Sequence, residues 1–348
     1  MVKVGAARAV ASEWVREQAA RHEDFRGAYF AGSTTWLPDD AELAPASDVD
    51  VAVVMAGDTP RPKLGKFRHR GVLIEVSYVP QDLVTSAEEV LSSYHLAGSF
   101  RVDTIIEDPT GSLRTLQATV ARDFAEPAWV RRRYEDALDR LRAIVGALDL
   151  SEPVYDSVTR WLFSTGVTTH VLLVAALRNP TVRLRYRAAR DVLVEYGQED
   201  LYRDLLGLLG CADITPRQVQ HHLDELAHTF DATAAVSRTE YFFSSDITPE
   251  ARPIAIDGSQ ELIDRGDHRE AVFWIVATFA RCHKILAADG SPELRESLMP
   301  AFRAVVADLG ITSTDDLTRR AGETLRFLPR LRASAEAILC ANPAVRRP

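Results

Sequence analysis

Cysteine is scarce. Cys211, Cys282 and Cys340 are the only three in 348 residues, far apart and odd in number, which argues against a disulfide framework. No C-x-x-C spacing occurs, so a zinc site built on paired thiols is disfavoured too. Long hydrophobic runs are also missing. The most apolar stretch, residues 271–280, is flanked by Arg269 and Arg281 and is about half of what a bilayer span needs. The N-terminus carries Lys3 and Arg8 and then mixes small apolar residues with Glu13, Arg16 and Glu17. That pattern reads as an amphipathic helix and not as a signal peptide, so the expectation is a cytoplasmic protein without a membrane.

A basic excess is absent as well. There are 41 Lys and Arg against 50 Asp and Glu, a net charge of −9. Divided at Glu126, both portions are acidic: 13 basic and 18 acidic residues before it, 28 and 32 from it onward. Proteins that hold long nucleic acid carry a basic footprint, so the balance disfavours DNA and RNA and favours a small-molecule or metal-nucleotide ligand. There is no G-x-S-x-G, no P-loop and no dinucleotide-binding glycine fingerprint. What remains is an ordinary globular composition, 46% apolar and 26% charged, long enough for two domains.

The first third of the chain alternates helical and strand patterns. Residues 5–22 have helical spacing, 27–31 form a short apolar strand ending in Gly32-Ser33, and 34–47 are polar with Pro38 and Pro45. Residues 48–55 (Asp-Val-Asp-Val-Ala-Val-Val-Met) are β-branched and read as a strand, as do 72–79. Between them, 56–70 reads as a connection dense in positive charge. A helix is expected over 86–93, a strand over 101–107, a turn at Asp108-Pro109-Thr110-Gly111 and a helix over 112–124. Beyond 125–127 strand signals nearly vanish. Helices are expected at about 129–149, 153–178, 182–196, 199–209, 215–235, 259–288, 292–308 and 315–341. The expected class is α+β: a mixed-sheet domain over 1–125, then an all-helical domain over 126–348 that contributes to acceptor and nucleotide binding.

One constellation carries chemistry. Alternate residues of a strand face the same side, so Asp48 and Asp50 project together from an otherwise apolar strand. Carboxylates held that close repel unless a cation lies between them, and burying them unpaired is costly. Mg²⁺ prefers carboxylate, water and phosphate oxygens. Glu75, within Leu73-Ile74-Glu75-Val76, reaches the same place if the two strands are neighbours. Three carboxylates around metal suit phosphoryl-type transfer, and Gly32-Ser33 at a strand end offers N–H groups and a hydroxyl to a phosphate.

Gly-Ser, a D-x-D strand and a third acid on a following strand resemble the pattern of the DNA polymerase beta-like nucleotidyltransferase superfamily. The layout as a whole resembles the aminoglycoside adenylyltransferases, in particular the streptomycin/spectinomycin group. The motif match covers residues 27–80; over the helical portion the likeness is of architecture, with faint echoes in 274–284. The fourteen residues between Ser33 and Asp48, Pro-rich, are longer than the common pattern. The resemblance implies an adenylyltransferase-like enzyme (EC 2.7.7 type) with Asp48 and Asp50 as Mg²⁺ ligands, Glu75 as general base or third ligand, and Gly32-Ser33 on the triphosphate. It implies ATP or another NTP as donor, a small hydroxyl acceptor, cationic in the aminoglycoside case, held between the domains, and antibiotic resistance as one role. It also makes Arg281, with His283 and Lys284, a candidate nucleotide-phosphate site. Among other basic groups, residues 61–70 read first as a solvated hairpin tip and only second as a triphosphate contact. Arg131-Arg132-Arg133 points in three directions on a helix, and Arg183, Arg185, Arg187 and Arg190 read as a solvated face. His95 reads as structural, and His221-His222 is too local for a metal site. Three readings stand beside this one: a toxin-like enzyme nucleotidylating tRNA or protein, a non-catalytic nucleotide-binding protein, and a biosynthetic enzyme with a non-antibiotic acceptor.

Overall fold

A computed structural model describes residues 2–57 and 61–346. The chain is mixed α+β, a five-stranded mixed sheet followed by a helical region. It divides into two compact units. One runs to Arg133 and takes in the C-terminal residues from Ala344; the other is Tyr134–Pro343. The return of the C-terminus is anchored by Arg346, whose N–H donates to the Ala125 carbonyl at 3.0 Å and whose guanidinium meets Glu126 at 2.9 Å.

The first unit contains helix α1 (Val4–Glu17) and strands β1 (Phe25–Phe30), β2 (Val49–Met55), β3 (Gly65–His69), β4 (Val72–Pro80) and β5 (Ile105–Glu107). Helices α2 (Ala87–Ser92) and α3 (Ser112–Asp123) also belong to it, and α4 (Pro127–Gly146) runs through the division. The sheet order is β3-β4-β2-β1-β5, with β2 and β4 parallel and every other pair antiparallel. Alternation along β2 decides its two faces. Val49, Val51, Val53 and Met55 join Ile74 and Val76 of β4 and Ala7, Ala11, Trp14 and Val15 of α1 in one apolar core. Asp50 therefore lies on the opposite face of the same strand.

Residues 56–70 are not a simple connection. Gly65–His69 forms β3 and pairs with β4, Lys66 opposite Glu75 and His69 opposite Val72; positions 58–60 lie outside the described residues. The hairpin closes on Arg70-Gly71, both with positive φ, +47° and +84°, the backbone that suits a two-residue hairpin loop. Arg70 accepts the left-handed conformation and makes ion pairs with Glu13 and Glu17 of α1. The charge density of 61–70 hides this strand, because its inward-facing Phe67 is a lone apolar residue, packed 5.2 Å from Trp14. The expected strand over 101–107 shortens to β5.

The second unit holds α5 (Val154–Ala175), α6 (Arg185–Glu195), α7 (Glu199–Leu209), α8 (Pro216–Val236), α9 (Gly258–Asp264), α10 (His268–Asp289), α11 (Pro292–Asp308) and α12 (Thr314–Ala341). The single helix expected over 259–288 is two. Gly266 adopts φ +85°, and the N–H groups of Gly266 and Asp267 turn back onto the Ile263 and Leu262 carbonyls and end α9. By length and composition α10 is apolar enough to cross a membrane, but most of it is buried by the protein itself, against α5, α8, α9 and α11. Burial on all sides explains an apolar helix without a bilayer.

Candidate metal centre

Strand register assembles the acids. Asp50 of β2 lies beside Glu75 of β4, and Glu75 lies beside Lys66 of β3. Cross-strand neighbours share a face, so Lys66, Glu75 and Asp50 form one row across three strands on the side away from α1. Asp48 stands just before β2, two residues from Asp50 and on the same side. One carboxylate oxygen from each of Asp48, Asp50 and Glu75 can be chosen so that all three lie within 4.8 Å of one another. A group of that kind, hard oxygens converging from rigid strands, could bind a divalent metal ion.

Gly32 closes the row from β1. Its backbone takes φ +64° and ψ −155°, and a Cβ placed on it would fall 1.7 Å from Asp50 Oδ2. Only glycine lets the backbone pass this close to the carboxylate. Ala31 ties the two strands together just there, its N–H donating to the Asp50 carbonyl at 3.0 Å. Ser33 begins a single 3₁₀ turn, Ser33–Trp36, and is exposed. The turn is held by the Thr35 hydroxyl donating to the Gly32 carbonyl at 2.8 Å.

Two lysines complete the cluster. Lys66 Nζ is 2.5 Å from Glu75 Oε1 and 3.3 Å from Asp48 Oδ2, with a side chain only 8% exposed. Lys63 makes an ion pair with the same Glu75 oxygen. The electrostatics divide the two neighbouring acids. Burial, then the charges of Asp48 and Glu75, push the Asp50 carboxyl well above its ordinary range, against the pull of Lys66. Burial works in the same direction on Glu75. There Lys66, Lys63 and a hydrogen bond shared with Asp50 prevail and bring its carboxyl down to about 2. The lysines thus set the two neighbouring carboxyls apart, Asp50 raised and Glu75 lowered.

Asp48, Asp50, Glu75 and Gly32 come together as the sequence implies, with Ser33 at the adjoining turn. Lys63 and Lys66, from the charge-dense stretch 61–70, are brought to the same cluster. Lys66 is not part of a solvated tip; the usable signal was its place one residue before Phe67 in an alternating hairpin strand.

The remaining candidate groups divide into buried and exposed ones. On α10, Arg281 pairs with Asp246 at 2.8 Å, both side chains 10% exposed, and its guanidinium stands 5.0 Å from the Trp274 ring centre and 5.5 Å from that of Phe243. His283 is buried between Phe279 and Phe302, and burial lowers its imidazole to about 4. Lys284 pairs with Asp156 at 2.5 Å. The expected trio is therefore two ion pairs and a neutral ring. Arg185 is not solvated: it is buried, with its guanidinium 3.9 Å over the Phe273 ring. Arg133 turns inward to the Leu91 and Phe124 carbonyls, while Arg131 and Arg132 are exposed. His95 is exposed beside Ser93, and His222 is bonded to Asp308 at 2.8 Å. Cys211 and Cys282 are buried free thiols, and Cys340 is an exposed one.

A scan against protein-family models finds no match to this chain, and a search of curated proteins finds none.

Proposed function

We propose that this protein is a Mg²⁺-dependent nucleotidyltransferase that moves a nucleoside monophosphate, AMP from ATP in the leading case, onto a hydroxyl of a small molecule. The observation that carries the proposal is the convergence of Asp48, Asp50 and Glu75 beside a glycine whose conformation leaves room for one of them. A D-x-D strand beside a parallel strand bearing the third acid, in a small mixed sheet, supports a polymerase-beta-like catalytic unit. The helical unit's acidic balance accords with a cationic acceptor of the aminoglycoside kind.

Asp48 and Asp50 would hold Mg²⁺, with Glu75 as third ligand or as base. The metal, when bound, neutralises charge on the triphosphate and on the transition state. Gly32 and Ser33 offer an N–H and a hydroxyl to a phosphate. The acceptor oxygen forms a bond to the α-phosphorus as the bond from that phosphorus to the bridging β-phosphate oxygen breaks. Pyrophosphate leaves with the electron pair, and the hydroxyl proton passes to Glu75.

The test is pyrophosphate release with each NTP and Mg²⁺ over a panel of aminoglycosides, lincosamides and polyols, wild type beside Asp50→Ala. Release that needs both an acceptor and Asp50 is expected. Release that survives Asp50→Ala would overturn the mechanism. Tight Mg-NTP binding with no release on any small acceptor would turn the search to tRNA or protein as the acceptor.

A further inference from the structure

We infer that Lys63 and Lys66 form an ammonium latch over the acid cluster, and that the site exchanges this latch for metal and polyphosphate taken together. The inference rests on the nucleotidyltransferase reading and adds to it two phosphate-binding residues and an order of binding.

Three observations carry it. The first is position. The Lys66 ammonium stands against Glu75 at 2.5 Å and Asp48 at 3.3 Å, two of the three carboxylates that converge as metal ligands. The carboxylates that hold the ammonium are the ones that would hold the ion, so a metal entering there competes with Lys66 for them. The second is redundancy. Lys63 bonds the same Glu75 oxygen that Lys66 bonds. Either ammonium can therefore leave Glu75 while the other stays on it. The third is access. Lys66 is nearly enclosed, at 8% exposure, whereas Lys63 is 24% exposed and lies in the stretch before β3, outside its ladder. The pair therefore reaches from the floor of the cluster to its solvent side.

Charge completes the case. Three acids and two ammoniums leave the cluster with one negative charge in excess, close to neutral. A bare divalent ion entering the carboxylates would weaken the ion pairs that both lysines make there and supply no negative charge in return, an unfavourable exchange. A polyphosphate arriving with the metal gives the displaced ammoniums new oxygens within reach of a four-carbon stem. The lysines therefore oppose free metal and favour metal-triphosphate. Their removal should move the two affinities in opposite directions, which a purely structural role would not do.

The experiment uses the full-length protein and two probes, Mn²⁺ alone, followed by electron paramagnetic resonance, and the preformed Mn–tripolyphosphate complex, followed by calorimetry. Wild type is compared with Lys66→Met, Lys63→Met and Lys66→Arg. Lys66→Met should bind Mn²⁺ alone about tenfold more tightly and Mn–tripolyphosphate about tenfold more weakly. Lys63→Met, on the exposed side, should show the same crossing with smaller amplitude and serves if Lys66→Met does not fold. Lys66→Arg should stay near wild type for tripolyphosphate. Parallel weakening of both probes, or no change in either, in variants of a wild type that binds both, would overturn the latch alone. A wild type that binds Mn²⁺ but not Mn–tripolyphosphate would overturn the latch and leave the metal centre standing. A wild type that binds neither would overturn the metal reading and the latch with it.

Discussion

Gly32 and Asp50 are fitted to each other: a single methyl group on Gly32 would fall 1.7 Å from Asp50 Oδ2. Gly32→Ala therefore meets two obstacles, a backbone at φ +64° and ψ −155°, a region essentially reserved for glycine that costs about 1–3 kcal/mol for an L side chain, and a clash that displaces the carboxylate. The expected result is a modest fall in melting temperature with a loss of roughly 10–100-fold in Mn²⁺ affinity, the scale of losing a group that positions a ligand. A variant with wild-type metal affinity would show that Asp50 relaxes without leaving the site.

Divalent metal should stabilise the protein by binding the folded state alone. At a free concentration a hundredfold above Kd the gain is about 2.7 kcal/mol, read as a rise in melting temperature on adding Mg²⁺ or Mn²⁺. Asp48→Asn should abolish the rise. An equal rise in that variant would place the metal elsewhere.

Asp50 and Glu75 should show opposite pH dependence in metal-free buffer. The Asp50 carboxyl is raised above its ordinary 3.8, by burial first and then by its acidic neighbours. Its contribution to stability is full below that value and is lost as pH rises through the folded-state value. Asp50→Asn keeps a neutral group at every pH. It should therefore be more stable than wild type at neutral pH and above, with the gap closing toward acid. Thermal melts across pH that show no gap at neutral pH would contradict this.

Glu75 is lowered from 4.5 to about 2, burial opposing and the lysines prevailing. Its contribution is present above 4.5 and disappears as pH falls toward 2. Glu75→Gln should cost on the order of 3 kcal/mol at neutral pH and approach wild-type stability in acid. Denaturant unfolding at neutral pH and near pH 3 checks both halves.

Arg281 and Asp246 form a buried pair in the helical unit. Removing one partner leaves a buried charge, so Arg281→Met should cost about 3–5 kcal/mol. Adding Asp246→Asn should recover much of it. Tripolyphosphate affinity should not change in either variant that folds; a loss of that affinity at unchanged stability would return Arg281 to a phosphate-binding role.

Much of the acid site was legible because its signals are local. Asp48 and Asp50 share a face through the two-residue period of a strand, and a glycine before a serine at a strand end marks a close backbone approach. The lysines were legible only as charge. Whether Lys66 points to water or to Glu75 depends on a hairpin whose loop is Arg70-Gly71, a pair without the usual asparagine or aspartate. The same limit hid Arg185: Gly166 and Phe273 make room for its guanidinium, and both are remote from it in the chain.

The sequence by itself determined the chemistry on offer, three carboxylates and a glycine on β-forming segments, and the change from mixed to helical structure past the first third. These follow from side-chain identity and short-range periodicity. The tertiary structure decided the register that sets Lys66, Glu75 and Asp50 in one row, and the burial that pairs Arg281 with Asp246 and turns Arg185 from a solvated charge into an internal one. Register and burial arise from contacts between residues far apart in the chain, and no local pattern encodes which strand lies beside which, or which cation finds an anion before it finds water.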